Sequence, residues 1–249
     1  MVATKIVPLK PALILEGEKK NLIITDLHIG FESNLAANEI FVGKNTTIKE
    51  TISEIEDIIN LTKPDSLVLL GDVKSSIKSI SKNEWDEVPL FFDKMKSMID
   101  TILVPGNHDA NIQKLVPDGI TLVSSTGLVI ENVLLTHGHT MPSENFAHVD
   151  KIIMGHVHPV FFLEESVLNG QRVWVSIKTE KQRVFPSESG ELELTIIPSF
   201  NRYFYATYKR HYKKSISPII EKIKEFSSAK IITLDGSFIG NESMISKVL

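Results

Sequence analysis

The chain has 249 residues, 42% of them hydrophobic, with 27 Lys and Arg against 31 Asp and Glu for a formal net charge of −4. That is enough to bury one good core, and the length resolves best as a single domain over residues 1–200 with a C-terminal extension over 201–249. There is no cysteine, which excludes disulfides and thiolate-held zinc, and no apolar stretch approaches the roughly 18 residues of a membrane-crossing helix.

Met1-Val2-Ala3-Thr4-Lys5 leads into Pro8 and Pro11 without the apolar core of a signal peptide, so the expected location is the cytoplasm, with no membrane partner. Five short apolar runs follow: Leu22-Ile23-Ile24-Thr25, Ser66 to Leu70, Thr101 to Val104, Asn132 to Thr136 and Lys151 to Met154. Continuous apolar runs of this length read as strands buried on both faces. Between them, Thr46 to Leu61 carries Ile48, Ile52, Ile55, Ile58 and Ile59 at helical spacing, and Asn83 to Met98 is a second amphipathic helix. After Pro159, strand-like runs at Val160 to Leu163, Arg172 to Ile177 and Leu192 to Ile197 are parted by turns at Asn169-Gly170 and Ser189-Gly190. A short helix is expected over Ile219 to Phe226. No internal repeat or low-complexity tract is present.

The histidines carry the chemistry. Six of the eight fall in short blocks: Asp26-Leu27-His28, Gly106-Asn107-His108-Asp109, His137-Gly138-His139 and Gly155-His156-Val157-His158, with Gly71-Asp72 between the first two. Four of the five apolar runs end directly at a block, and the fifth is parted from its block only by Pro105. Loops that follow strand C-termini converge at one edge of a sheet, so five distant segments are brought to one place. Imidazole nitrogens mixed with carboxylate and amide oxygens suit borderline transition metals, and a pair of such ions suits phosphoryl chemistry. The plain alternative is a set of polar loop residues capping helices.

These blocks, in this order, resemble the calcineurin-like metallophosphoesterase superfamily, whose pattern is DxH, GD, GNH(D/E), an isolated His, then GHxH. The opening Thr25-Asp26-Leu27-His28-Ile29-Gly30-Phe31-Glu32 and the small size look most like the small archaeal phosphoesterases related to the SbcD nuclease subunit. The resemblance implies an α/β fold, a four-layer αββα sandwich of two mixed sheets. It implies two divalent metal ions per chain, manganese first, with iron, zinc, nickel or cobalt as other fits. Asp72 is carried over as the bridging carboxylate, with Asp26, His28 and His158 on one metal and Asn107, His137 and His156 on the other. His108 is assigned to the substrate, as proton donor or as stabiliser of phosphoryl charge. Asp109 is placed beside it as an orienting group. His139 lines the site or bonds the loop, while His148 and His211 match no family position.

The implied activity is hydrolysis of phosphate esters by metal-activated water, with phosphodiesters of nucleic acid or nucleotides preferred. A phosphomonoesterase and a non-catalytic scaffold that keeps the fold are the alternatives, although the scaffold form typically loses ligands that are intact here. Gly71-Asp72-Val73-Lys74-Ser75-Ser76 departs from the GDxxDRG of protein phosphatases, and the roughly 90 residues after the last block leave no room for a large nuclease cap.

Arg202 to Lys214 reads RYFYATYKRHYKK, with all four tyrosines of the chain, five basic residues and no acid, leaving −9 for the rest. Cations interleaved with aromatic rings are what single-stranded nucleic acid binding uses, which makes Arg202, Lys209, Arg210, Lys213 and Lys214 candidate nucleic-acid contacts. The competing reading packs the tyrosines on the core or on a second subunit of a homodimer.

Overall fold

The computed structural model describes residues 2–32, 46–203, 217–223 and 228–249. The first half runs β1 (Ala3–Ile6), β2 (Leu13–Glu16), β3 (Lys20–Ile24), α1 (Thr46–Thr62), β4 (Ser66–Leu70), α2 (Lys82–Lys96), β5 (Asp100–Val104) and β6 (Ile120–Leu122). The second half runs β7 (Leu128–Ile130), β8 (Val133–Thr136), β9 (Lys151–Met154), β10 (Val160–Phe161), β11 (Gln171–Glu180), β12 (Glu191–Ile196), α3 (Pro218–Lys222), β13 (Ser228–Thr233) and β14 (Phe238–Asn241).

Two mixed sheets result, as expected. The first has the order β1-β2-β3-β4-β5-β6, antiparallel at β1 to β3 and parallel from β3 onwards. The second has the order β14-β13-β11-β12-β9-β8-β7, with β8, β9 and β12 parallel and β10 paired to β11. Alternate residues of each central strand face opposite ways, so a strand apolar throughout can feed two cores. Ile23, Val68 and Leu70 point into a central core shared with Leu135, Ile153 and Trp174 of the second sheet. Their neighbours Leu22, Ile24, Leu67 and Leu69 pack outward on Ile55 and Ile58 of α1 and Val88, Phe91 and Phe92 of α2. Leu134, Ile152 and Met154 face the opposite outer layer, which is thin: α3 supplies Ile219, with Ile223, Phe185 and Val248 beside it. Helices, sheet, sheet and helix make the four layers.

Helix α1 forms because its isoleucines make one stripe, with Ile48, Ile55 and Ile58 buried. At α2, Ser81 and Glu84 make a reciprocal capping box, and Lys94 and Lys96 sit in the last turn where cations suit the helix dipole. The strands β13 and β14 close one edge of the second sheet, so residues beyond 200 supply sheet strands as well as packing on the core. Of the helix expected over Ile219 to Phe226, Pro218–Lys222 is helical and residues 224–227 lie outside the described residues, as do Lys209, Arg210, His211, Lys213 and Lys214. No described helix is long and apolar enough to cross a membrane.

Candidate metal centre

The C-terminal ends of β3, β4, β5, β8 and β9 deliver all the ligand-type blocks to one edge of the two-sheet stack. The backbone there is unusual. Asp26, His28, Asp72, His156 and His158 have φ values of 58°, 45°, 52°, 67° and 48°. Left-handed backbone costs a non-glycine residue on the order of 1–3 kcal/mol, and it persists only where the surroundings enforce it. The enforcement is visible. Asp26, His28 and Ile29 N–H groups donate to the Gly71, Asp72 and Val73 carbonyls at 3.1, 2.9 and 2.8 Å, stitching the loop after β3 to the loop after β4. From the other side, Asn201 N–H and Ser199 Oγ donate to the Asp26 carbonyl, and Asn201 Nδ2 donates to that of Leu27 at 2.9 Å. Two block glycines are steric requirements. A Cβ on Gly106 would lie 2.2 Å from Asp72 Oδ1, and one on Gly155 would lie 2.0 Å from Thr25 Oγ1.

Two ligand groups emerge, and one residue belongs to both. Asp26, His28, Asp72 and His158 offer atoms that all lie within 4.8 Å of one another, as do those of Asp72, His137 and His156. All six are buried. In the first group, His158 Nε2 is 2.9 Å from Asp26 Oδ1 and 3.4 Å from His28 Nε2, and His28 Nε2 is 3.9 Å from Asp72 Oδ2. In the second, His137 Nε2 is 3.2 Å from Asp72 Oδ2 and 3.2 Å from Asn107 Oδ1. His137 Nδ1–H donates to the Leu70 carbonyl at 2.9 Å, which fixes the tautomer that aims Nε2 at these oxygens.

The donor set fits divalent cations. Despite the 2.9 Å approach of His158, Asp26 Oδ1 makes no hydrogen bond of proper geometry, an orphaned buried carboxylate oxygen of the kind a cation satisfies. Imidazole nitrogens meeting carboxylate oxygens, with no sulfur among the grouped ligand atoms, match manganese, iron, cobalt or zinc chemistry.

Burial opposes every charge here, and the partners decide which survive. Burial pushes Asp26 up, but the charge and contact of His158 outweigh it and hold the carboxyl at about 2. Asp72 likewise lies well below the carboxylate range, because His137, His28 and His108 outweigh its burial. Burial would depress His137, yet the Asp72 carboxylate, Asp26 and the Leu70 carbonyl raise it to about 10. Burial wins at His28, lowered to about 3, and at His156, lowered to about 4 with help from the His137 charge. The metal-free centre therefore keeps a proton on His137, which a cation must displace.

His108 stands at the rim, its side chain 22% exposed and Nε2 4.0 Å from Asp72 Oδ2. Its ring lies edge-on to that of His28 at 4.8 Å. Its Nδ1–H is taken by the Ser75 carbonyl. Asp109 is engaged elsewhere: it accepts from Val73, Lys74 and Gly106 N–H at 3.0, 3.3 and 2.8 Å, tying the Asp72 loop to the Asn107 loop. His139 borders an open cavity of about 320 Å³ against Asn107, its ring 5.3 Å from that of His137. His148 is exposed and belongs to neither ligand group. Arg202 pairs with Glu54 at 2.6 Å, and the Tyr203 hydroxyl donates to Glu50, so the start of the basic tract is tied to α1. Sequence reasoning missed Ser75, Ser199 and Asn201. All three act through backbone atoms or on backbone partners, which no residue type announces in sequence.

Residues 20–172, more than half of the chain, match the calcineurin-like phosphoesterase family. Among solved structures, a nuclease named MPE from Pseudomonas putida is similar over 94% of this chain and 98% of its own, with 15% identity and a TM-score of 0.54, which shows a shared fold. The E. coli phosphoesterase Yfce aligns over 90% of this chain and 98% of its own at 15% identity, with a TM-score of 0.39. No curated protein matches significantly. With the ordered blocks gathered into two ligand groups and the family match spanning them, the chain belongs to the calcineurin-like phosphoesterase family.

Proposed function

We propose that this protein is a metal-dependent hydrolase of phosphodiesters, using two divalent cations held by Asp26, His28, His158 and Asp72 on one side and Asp72, Asn107, His137 and His156 on the other. The observation that carries this reading is the shared Asp72: one buried carboxylate belongs to both ligand groups. Cations so placed supply Lewis-acid stabilisation of phosphoryl charge and an activated water. The chain's own residues do the rest. Asn107 adds a neutral oxygen, leaving net positive charge for a phosphate, and His108, at the exposed rim with Nε2 facing the centre, protonates the departing oxygen. Manganese is the metal we favour among the fits.

Preference for diesters rests on the basic, tyrosine-rich tract that begins at Arg202 and Tyr203, whose anchored stem lies beside Leu27 and His28 at the first ligand group. The resemblance of Thr25 to Glu32 to SbcD-related phosphoesterases supports the same choice. The deciding experiment is hydrolysis of a chromogenic diester and a monoester with Mn, Ni, Co, Zn and Mg added singly to metal-stripped protein. Faster turnover of the diester supports the proposal; turnover of neither ester with any metal refutes it.

A further inference from the structure

We infer that Glu84 is a positioning residue for His108, acting through the peptide bond between Ser75 and Ser76; the inference rests on the proposed role of His108. Glu84 is fully buried in the first turn of α2. Its capping duty needs one oxygen, and Oε2 performs it by accepting from Ser81 N–H at 2.6 Å. The second oxygen has a different use. Oε1 accepts from Ser76 N–H at 2.6 Å and from Ser75 N–H at 2.9 Å, the latter shared with the Ile29 carbonyl at 3.0 Å.

Ser76 N–H and the Ser75 carbonyl are the two ends of a single peptide unit, and that carbonyl accepts the Nδ1–H of His108. The sequence of contacts is therefore carboxylate to N–H, across one amide, then carbonyl to imidazole. Hydrogen bonds in series polarise one another, so a buried carboxylate on the amide nitrogen strengthens the carbonyl as an acceptor. The arrangement is a carboxylate–histidine pair with a peptide inserted between the partners. It fixes His108 as the Nδ1–H tautomer and turns Nε2 toward the metal centre. The loop has other support, since Lys74 Nζ holds the carbonyls of Ser76 and Ser79. Loss of the Glu84 charge should therefore loosen His108 before it unfolds the loop.

The test is a double-mutant cycle on the metal-loaded full chain with aryl diesters. Glu84→Gln should lower kcat about tenfold with KM little changed, and the loss should grow from a p-nitrophenyl to a phenyl leaving group, as expected when the proton donor is misplaced. In a His108→Ala background the same change should cost less than about twofold. Ser81→Ala, which weakens the cap without touching Ser75, should lower the melting temperature and leave kcat unchanged. Losses that multiply in the double variant, or that ignore the leaving group, overturn the inference. A His108→Ala variant that turns over normally overturns the role of His108 itself, and this inference with it. If Glu84→Gln does not fold, nitrogen NMR of the wild type loaded with Zn or Mg decides. Neutral His108 must carry its proton on Nδ1, and an Nε2–H tautomer refutes the chain of contacts.

Discussion

Asp109→Ala tests the tie between the two central loops. Asp109 is 4% exposed and accepts three backbone N–H groups, from Val73, Lys74 and Gly106. Truncation leaves three donors without their partner, at about 1–3 kcal/mol each. One term offsets this. Burial, and then the charge of Asp72, raise the Asp109 carboxyl to about 6, so keeping it ionised near neutral pH costs about 3 kcal/mol that the alanine no longer bears. At the middle of that range the net loss is about 3 kcal/mol, or roughly 6–12 °C in melting temperature for a chain of this size. Thermal unfolding of metal-stripped protein near neutral pH measures it without contribution from bound cations. Because the tie spans the loops bearing Asp72 and Asn107, metal affinity should fall in the same variant. A variant that melts with the wild type, binds metal normally and loses only turnover would refute the structural role and return Asp109 to the chemistry.

Other perturbations separate the remaining roles. His108→Ala should lower kcat by roughly 10² to 10⁴ while metal content stays near two per chain, by elemental analysis, because His108 faces substrate and not a cation. Glu87 has a buried Oε2 with no hydrogen-bond partner; burial, then the charges of Glu32, Asp86 and Glu84, raise its carboxyl to about 7. Its folded pKa exceeds the unfolded value, so its stabilising contribution is complete below about pH 4.5 and is lost as pH rises through about 7. Glu87→Gln should therefore raise stability by about 1–3 kcal/mol at pH 8 and change little at pH 4.5, by denaturant titration; equal effects at both would sink the assignment. Changing Lys209, Arg210, Lys213 and Lys214 together to Ala should weaken single-stranded nucleic acid binding and flatten its salt dependence, with hydrolysis of a small chromogenic diester unaltered. Unchanged binding would leave the tract structural, and an altered oligomer size would make it a subunit contact.

The central strands and the ligand blocks were legible for one reason. Strands β3, β4, β5, β8 and β9 are buried on both faces, so each shows as an unbroken apolar run, and the polar residue after each run has to leave the core at the sheet edge. The edge strands hid because they lack that signature. Residues of β6 are half-buried or exposed, and β7 is half-buried throughout, so only their pairing partners make them strands. The same holds for β13 and β14, whose place in the second sheet depends on β11, over forty residues earlier in the chain. The left-handed backbone at Asp26, His28, Asp72, His156 and His158 had no glycine to announce it; tertiary contacts hold it, with carbonyls of the loop after β4 at Asp26 and His28 and the Asp26 carboxylate at His156. Glu84 carries no sequence signal beyond that of an acid in a helix's first turn. Its reach to the Ser75–Ser76 peptide is a tertiary fact, as is the grip of Glu50 and Glu54 on Tyr203 and Arg202.

Everything in the functional account passes through Asp72. It belongs to both ligand groups, it accepts from His108 N–H at 2.8 Å, and its charge outweighs burial at His137. Elemental analysis of metal-replete wild type and Asp72→Ala, with turnover measured on the same samples, is the direct test. Two divalent ions per wild-type chain are expected, and in the variant loss of metal from both groups with turnover nearly abolished. A wild type that holds none or one, or an Asp72→Ala protein that keeps two, would contradict a shared carboxylate.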